Sequence, residues 1–401
     1  MQPLSLTAST TVSALGAGRG ALRAALRERR GGLRPSDFPG GPEGIWVGRV
    51  PGVEEVALPP DLAGYACRNN RLAEMALATD NFADAVRAAR ERYGADRVAV
   101  CLGTSTAGIE ETERAYRRRS PDGALPADFD FERTHDLQSL PRYVRARLGL
   151  RGPALAISTA CTSGARSFLE AAVLIEAGLA DAVVVGGVDT LCRMTLRGFA
   201  SLELLSRGGP CRPCAADRDG ISIGEAAALV LLERADPAAA ADSVLLLGAG
   251  ASSDGHHMSS PHPDGLGAVG AMRAALDAAG LGPGGVDYVN LHGTGTRAND
   301  AMEDRAVARV FGDRGVPCSS IKGWTGHTLG ASGALEAVAA AICVEDGLVP
   351  GCLGVEDADP EFRSDVATAN RAVPVRRVLS NSFGFGGSNC ALVIGRAAGA
   401  A

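Results

Sequence analysis

Apolar, β-branched runs alternate with alanine-rich segments of helical period along most of this chain, the alternation that builds α/β folds. Arg97-Val-Ala-Val-Cys-Leu102 predicts a buried strand, as do Ala154–Ile157, Ala182–Val185, Val244–Leu247 and Val286–Leu291. Apolar positions at helical spacing predict helices over Leu72–Tyr93, Ser167–Ala177, Ala268–Ala279 and Ala334–Glu345. Gly178 and Gly347 fall where a helix ends in a left-handed residue.

The pattern repeats weakly. A strand ending near Ile157, a small-residue loop with Cys161 and a helix through Leu169 and Val173 lead to Gly178. A strand near Ile321, a glycine-rich loop with His327 and a helix through Leu335 and Val338 lead to Gly347. The expected organisation is therefore two related halves, 1–240 carrying Cys161 and 241–401 carrying His292, Lys322 and His327. The seam falls in the polar, Pro- and Ala-rich stretch Arg234–Asp242. Two such halves facing each other bring both helix starts to one place.

Bulk properties narrow the class. A chain of 401 residues with 46% hydrophobic and 21% charged positions is a soluble-enzyme composition. Its 52 glycines and 4% aromatics indicate closely packed small residues and tight turns. A formal net charge of −6 speaks against a broad nucleic-acid surface. No apolar run reaches the roughly 18 residues that span a bilayer. The first charged residue is Arg19, without the pattern of a secretory signal, so the expected location is cytoplasmic. The ten cysteines are scattered among apolar neighbours and read as free thiols of a reducing compartment. Cys211-Arg-Pro-Cys214 is a lone pair with no second pair and no histidine at ligand spacing, so no metal is expected.

Four segments carry candidate chemistry. In Ile157-Ser-Thr-Ala-Cys-Thr-Ser-Gly-Ala165, Cys161 precedes an alanine-rich helix whose free N–H groups and dipole favour a thiolate, so its pKa is expected to be low. Leu291-His-Gly-Thr-Gly-Thr296 delivers His292 from a strand, with Thr294 and Thr296 able to grip an extended amide arm. Ser320-Ile-Lys-Gly-Trp-Thr-Gly-His-Thr-Leu-Gly-Ala-Ser-Gly333 surrounds His327 with glycines and puts Lys322 near Glu303 or Glu336. Ser380-Asn-Ser-Phe-Gly-Phe-Gly-Gly-Ser-Asn389 reads as a mobile run offering backbone N–H groups to an oxyanion. Singly, each has a plainer reading: a core cysteine, a satisfied strand-end histidine, a solvated lysine, an ordinary turn.

Together and in this order the four resemble the motifs of the elongating β-ketoacyl-acyl carrier protein synthases, condensing enzymes of the thiolase superfamily. The match runs from about Leu4 to Ile394. The initiating type of the family carries Asn where His327 stands. The resemblance implies an α/β thiolase fold, two pseudo-repeated βαβ-type halves in a layered αβαβα domain. It implies a ping-pong acyltransferase without a cofactor, its substrates carried on the phosphopantetheine of an acyl carrier protein. Cys161 would hold the acyl group. His292, His327 and Lys322 would serve the decarboxylation of the malonyl unit, with Glu303 in support. The N–H groups of Cys161 and Phe383 would form an oxyanion hole. Thr294 and Thr296 would bind pantetheine, and Phe199, Thr106 and Phe383 would shape the acyl pocket and its gate. Arg68, Arg71 and Arg117–Arg119 would offer a basic patch to the carrier protein.

Expected partners are that carrier protein and a second ketosynthase-like subunit, identical or not, with neither nucleic acid nor membrane. Departures from the family pattern (Leu6-Thr-Ala-Ser-Thr-Thr-Val-Ser13 near the start, Cys214 for an aromatic, Glu203 for a basic residue, the small Thr106) point to a specialised polyketide or polyene pathway. The alternative is a non-catalytic chain-length-factor-type subunit. That class loses the nucleophile, which this chain keeps.

Overall fold

The computed structural model describes residues 1–236 and 243–397. Of the expected seam at 234–242, residues 237–242 lie outside the described residues. Five of the main strands of the large sheet come before it: β1 (Leu4–Ser13), β2 (Val98–Gly103), β3 (Ala154–Ile157), β4 (Ala182–Asp189) and β5 (Ala226–Arg234). They lie in the order β3-β2-β4-β5-β1, parallel across β3-β2-β4 and antiparallel across β4-β5-β1. Five more come after it: β6 (Leu245–Ser253), β7 (Tyr288–Asn290), β8 (Pro317–Ser319), β9 (Arg377–Gly384) and β10 (Ser388–Gly395), and the two-residue strands Gly16–Ala17 and Asp365–Val366 complete the sheet. Their order, β8-β7-β9-β10-β6, and their polarity repeat the first set. The sets join where Leu4 pairs with Leu246 and Ser5 with Leu245, so hydrogen bonds run through one twelve-stranded sheet.

Alternation along the strands sorts side chains to opposite faces. Ala99 and Cys101 of β2 and Val183 and Val185 of β4 face a central helical layer. Val98, Val100, Leu102 and Val184 face the outer helices Arg68–Leu77, Phe82–Tyr93 and Ser139–Arg147. In the second set Val378, Leu392 and Ile394 turn inward, while Leu379, Ala391 and Val393 turn toward Leu266–Ala279 and Arg297–Phe311. The result is helix, sheet, helix, sheet, helix. The expected αβαβα layering of a thiolase fold is present.

The central layer is a pair of helices, α1 (Ser163–Glu176) and α2 (Ser332–Asp346). Every residue of α2 from Ser332 to Val344 is buried, which explains why it is apolar all round rather than on one stripe. The pair meets backbone to backbone. A Cβ on Gly164 would stand 2.7 Å from the Gly330 oxygen, and one on Gly333 would stand 2.6 Å from Ala165 Cβ. Each helix is preceded, three residues before its first residue, by a left-handed non-glycine residue, Ala160 and Leu329, both with φ 53°. The repeat thus extends to the turns, where Gly330 occupies the position matching Cys161.

The differences from sequence expectation are local. The helix expected over Leu72–Tyr93 is two, Arg68–Leu77 and Phe82–Tyr93, broken where Asp80 and Asn81 take φ 54° and 55°. Asp and Asn tolerate that region, so periodicity runs through the break unmarked. The glycine-rich run 380–389 is no free loop. Most of it belongs to the β9–β10 hairpin, and only Phe385–Gly387 turns. Among the described residues no helix is long and apolar enough to cross a membrane.

Candidate active site

Cys161 sits in the turn between β3 and α1, two residues before the helix proper. The turn is pinned by the Thr159 N–H donating to Ser163 Oγ at 3.0 Å and the Thr162 hydroxyl donating to the Thr159 carbonyl at 2.7 Å. Its sulfur lies 3.0 Å from His327 Nε2, and the backbone N–H groups of Phe385 and of Cys161 itself point at it. The low pKa expected from the helix dipole is not found. Burial pushes the thiol up to about 12, and the Lys322 charge and the two amides only partly oppose it. Desolvation wins because the sulfur is buried.

His292 leaves the end of β7; His327 lies between the short helix Lys322–Thr325 and α2. Their rings are 5.2 Å apart and nearly perpendicular, at 84°. Burial first, and then the Lys322 charge, holds both imidazoles well below the usual histidine range, so both are neutral near pH 7. Lys322 Nζ is 3.4 Å from His292 Nδ1. An ammonium only donates, so the His292 ring proton resides on Nε2. The Ser332 hydroxyl, 3.3 Å from His327 Nδ1, can donate or accept. His327 Nε2 can therefore take the thiol proton or present an N–H.

The lysine's partner is Glu336, at 2.5 Å, rather than Glu303. Glu303 instead accepts from the backbone N–H groups of His292 (2.8 Å) and Gly293 (2.7 Å) and from the Asn381 amide (3.1 Å). Burial still raises its carboxyl to about 7. It fixes where β7 delivers His292.

A cavity of about 360 Å³ is lined by Cys161, His292 and His327, by Thr294 and Thr296, and by Phe199. Exposed Glu203 and Arg297 belong to the same wall, so the cavity opens to solvent. The two threonine hydroxyls are 3.0 Å apart, and Asp300 holds their loop by accepting from the Thr294 and Gly295 N–H groups.

Three expectations need correction. Phe383 is paired with Asn389 in the hairpin and packs edge-on against His292, with ring centroids 5.9 Å apart. Two residues on, it is Phe385 that presents its N–H to the sulfur and stacks on Phe199 at 5.7 Å, while the Phe383 side chain still lines the cavity. Thr106 does not line the cavity; its hydroxyl donates to the buried Asp189 at 2.8 Å. Arg68 offers no basic patch, being buried and paired with Glu225 at 2.6 Å. Arg118 is paired with Asp128, and Arg119 lies over the Tyr116 ring.

Sequence reasoning missed Ser332 and Phe385. The first was visible in the Ala-Ser-Gly motif, the second as the other half of Phe-Gly-Phe. One ligand atom each from Cys161, His292 and His327 lies within 4.8 Å of the others, the one such metal-sized group among the described residues. Cys211 and Cys214 form no such group: Cys211 donates to the Lys322 carbonyl at 3.3 Å, and Cys214 lies against Cys352.

Residues 70–238 match the family model for the N-terminal domain of β-ketoacyl synthases, and residues 244–356 match that for the C-terminal domain. A 3-oxoacyl-[acyl-carrier-protein] synthase 2 from Coxiella burnetii is 35% identical over 75% of this chain and 76% of its own length. Among solved structures, the complex of the ketosynthase ApeO with its chain length factor ApeC from Xenorhabdus doucetiae matches at a TM-score of 0.89. The identity is 37%, over 99% of this chain and 98% of that one. A β-ketoacyl synthase from Burkholderia phymatum matches at 0.87 with 30% identity, covering 99% of this chain and all (100%) of that one. With a neutral thiol–imidazole pair at its centre and these likenesses along nearly its full length, the chain belongs to the β-ketoacyl synthases, enzymes that lengthen an acyl chain by decarboxylative condensation on an acyl carrier protein.

Proposed function

We propose that this chain is the catalytic ketosynthase of a specialised polyketide or polyene pathway, with Cys161 as the acyl-holding nucleophile. The observation that carries the reading is the Cys161 Sγ–His327 Nε2 contact of 3.0 Å, beside a second neutral imidazole. In loading, the Cys161 thiol attacks the carrier thioester as His327 takes its proton and passes it to the departing pantetheine sulfur. The N–H groups of Cys161 and Phe385 hold the oxyanion. The malonyl arm then lies against Thr294 and Thr296. Its thioester oxygen accepts N–H from His292 and His327 while CO₂ leaves; the enolate carbon forms the new C–C bond as Cys161 departs as a thiolate, which takes a proton from solvent to restore the thiol. Lys322 holds the His292 tautomer that donates, and Glu303 holds its backbone. The scheme uses no cofactor.

The outer edge of β3 carries exposed Leu155, which supports a ketosynthase-like subunit as partner, either a second copy or a chain-length-factor type. The ten unpaired cysteines support a reducing cytoplasmic setting. We place the boundary between halves at about residue 240, a position supported by the strand order repeating on either side. The chain-length-factor alternative is disfavoured by the intact thiol and both imidazoles.

Intact-mass analysis after incubation with a panel of acyl carrier proteins tests the reading. Acylation confined to Cys161 is expected, and the chain that loads best names the substrate. Absence of loading with every carrier, or unchanged product from Cys161→Ala, would overturn it.

A further inference from the structure

We propose that Cys161, His292 and His327 also form an inhibitory site for a borderline-soft divalent cation of the zinc group, filled only when no acyl group is on the cysteine. The three side chains come from three separate segments: the β3–α1 turn, the end of β7 and the loop before α2. Their ligand atoms nevertheless lie within 4.8 Å of one another. One thiol and two imidazoles with a free fourth position is a ligand set suited to such ions.

Tetrahedral bonds of about 2.3 Å to sulfur and about 2.0 Å to nitrogen place neighbouring ligand atoms roughly 3.3–3.5 Å apart. The sulfur–His327 contact of 3.0 Å has to open by about half an ångström, and the widest pair has to close. Side-chain rotation supplies both movements. One outer partner is in place: Ser332 sits on His327 Nδ1, and Nε2 is the atom turned toward the sulfur. Lys322, 3.4 Å from His292, is itself paired with Glu336 at 2.5 Å.

The fourth position faces the solvent-connected cavity that also contains Thr294 and Thr296, which gives an entry path and room for a retained water. Binding is a ligand exchange. The hydrated ion loses waters to two imidazoles and one sulfur; the thiol proton and the His292 Nε2 proton pass to solvent, while Lys322 gives a proton to His292 Nδ1 and, as a neutral amine, accepts its hydrogen bond. An acyl thioester uses that same sulfur, so metal and acyl group exclude each other. This exclusion rests on the proposed loading of Cys161; the metal site itself does not.

Cd²⁺ is the probe. Titrating it into the purified protein should give a thiolate-to-cadmium charge-transfer absorption that saturates at one ion per chain. Cys161→Ala and Cys161→Ser should both abolish it, and His327→Ala should weaken binding on the order of tenfold or more. Cys211→Ala should leave it unchanged. Bound Cd²⁺ should also shield Cys161 from alkylation, and a chelator should restore it. An absorption surviving in both Cys161 variants, or alkylation of Cys161 at the same rate with and without Cd²⁺, overturns the proposal. Loading by acyl carrier protein in the metal-free protein is scored separately, so loss of this inference and loss of the functional reading give different results.

Discussion

The Cys161 sulfur and the His327 Nε2 are 3.0 Å apart across 166 residues of chain, and both groups are neutral in the resting protein. Burial has pushed one pKa up and the other down, so the pair rests as thiol and imidazole rather than thiolate and imidazolium. The alkylation rate of Cys161 by iodoacetamide should therefore keep rising from about pH 6 to about pH 9, because only the thiolate reacts. A plateau beginning near neutral pH would show a preformed thiolate and contradict this picture.

His292 touches neither the sulfur nor its amides, yet its Nε2–H is the donor that Lys322 fixes. Removing it should separate the half-reactions. In His292→Ala, loading of Cys161 measured by intact mass should persist. Release of CO₂ from malonyl carrier protein should fall on the order of 10²–10³-fold, the cost of one oxyanion donor. Equal loss of both steps would remove His292 from the role assigned to it.

Lys322 and Glu336 are buried together in the apolar centre of the molecule. Breaking such a pair strands a charge. Glu336→Gln should cost about 3–5 kcal/mol in denaturant unfolding. The double variant Lys322→Met with Glu336→Leu should recover most of that loss while remaining unable to decarboxylate. If the single substitution costs under about 1 kcal/mol, the pair contributes nothing beyond an exposed one.

Glu303 titrates at about 7 when folded, against an ordinary value of 4.5. The folded state therefore holds a proton that the unfolded state has released, and this group's contribution is full below pH 4.5 and lost as pH rises through about 7. The histidines act the other way: their folded pKa values lie well below 6.5, so their contribution is lost as pH falls beneath 6.5. Glu303→Gln should remove that opposing contribution and steepen the rise of unfolding free energy with pH between about 4.5 and 6.5, where the histidines act alone. An unchanged slope over that window would mean Glu303 is ionised throughout.

Much of this was legible in the chain. The residues at each helix start or strand end that carry chemistry (Cys161, His292, Lys322, His327) announced themselves through small neighbours, and the structure brings all four together. Strand β3 is where its apolar run ended, whereas β4 extends to Asp189 because its later residues are glycines and a caged carboxylate that hydropathy does not mark. The choice between Phe383 and Phe385 was not legible, since it depends on where the β9–β10 hairpin turns. Nor was the thiol's high pKa. A helix start is written in sequence, but the depth to which folding buries it is not.

Gly164 and Gly333 leave no space for a methyl group where α1 crosses α2. Main chain resting on main chain acts as a mechanical stop: it sets the separation of the two helix starts, and with it the spacing of sulfur and imidazole, by covalent dimensions alone. Side chains on the outer helices, along the cavity wall or at the β3 edge can then be exchanged without retuning the chemistry. A scaffold built this way can acquire new substrates and new partners while its reaction stays the same.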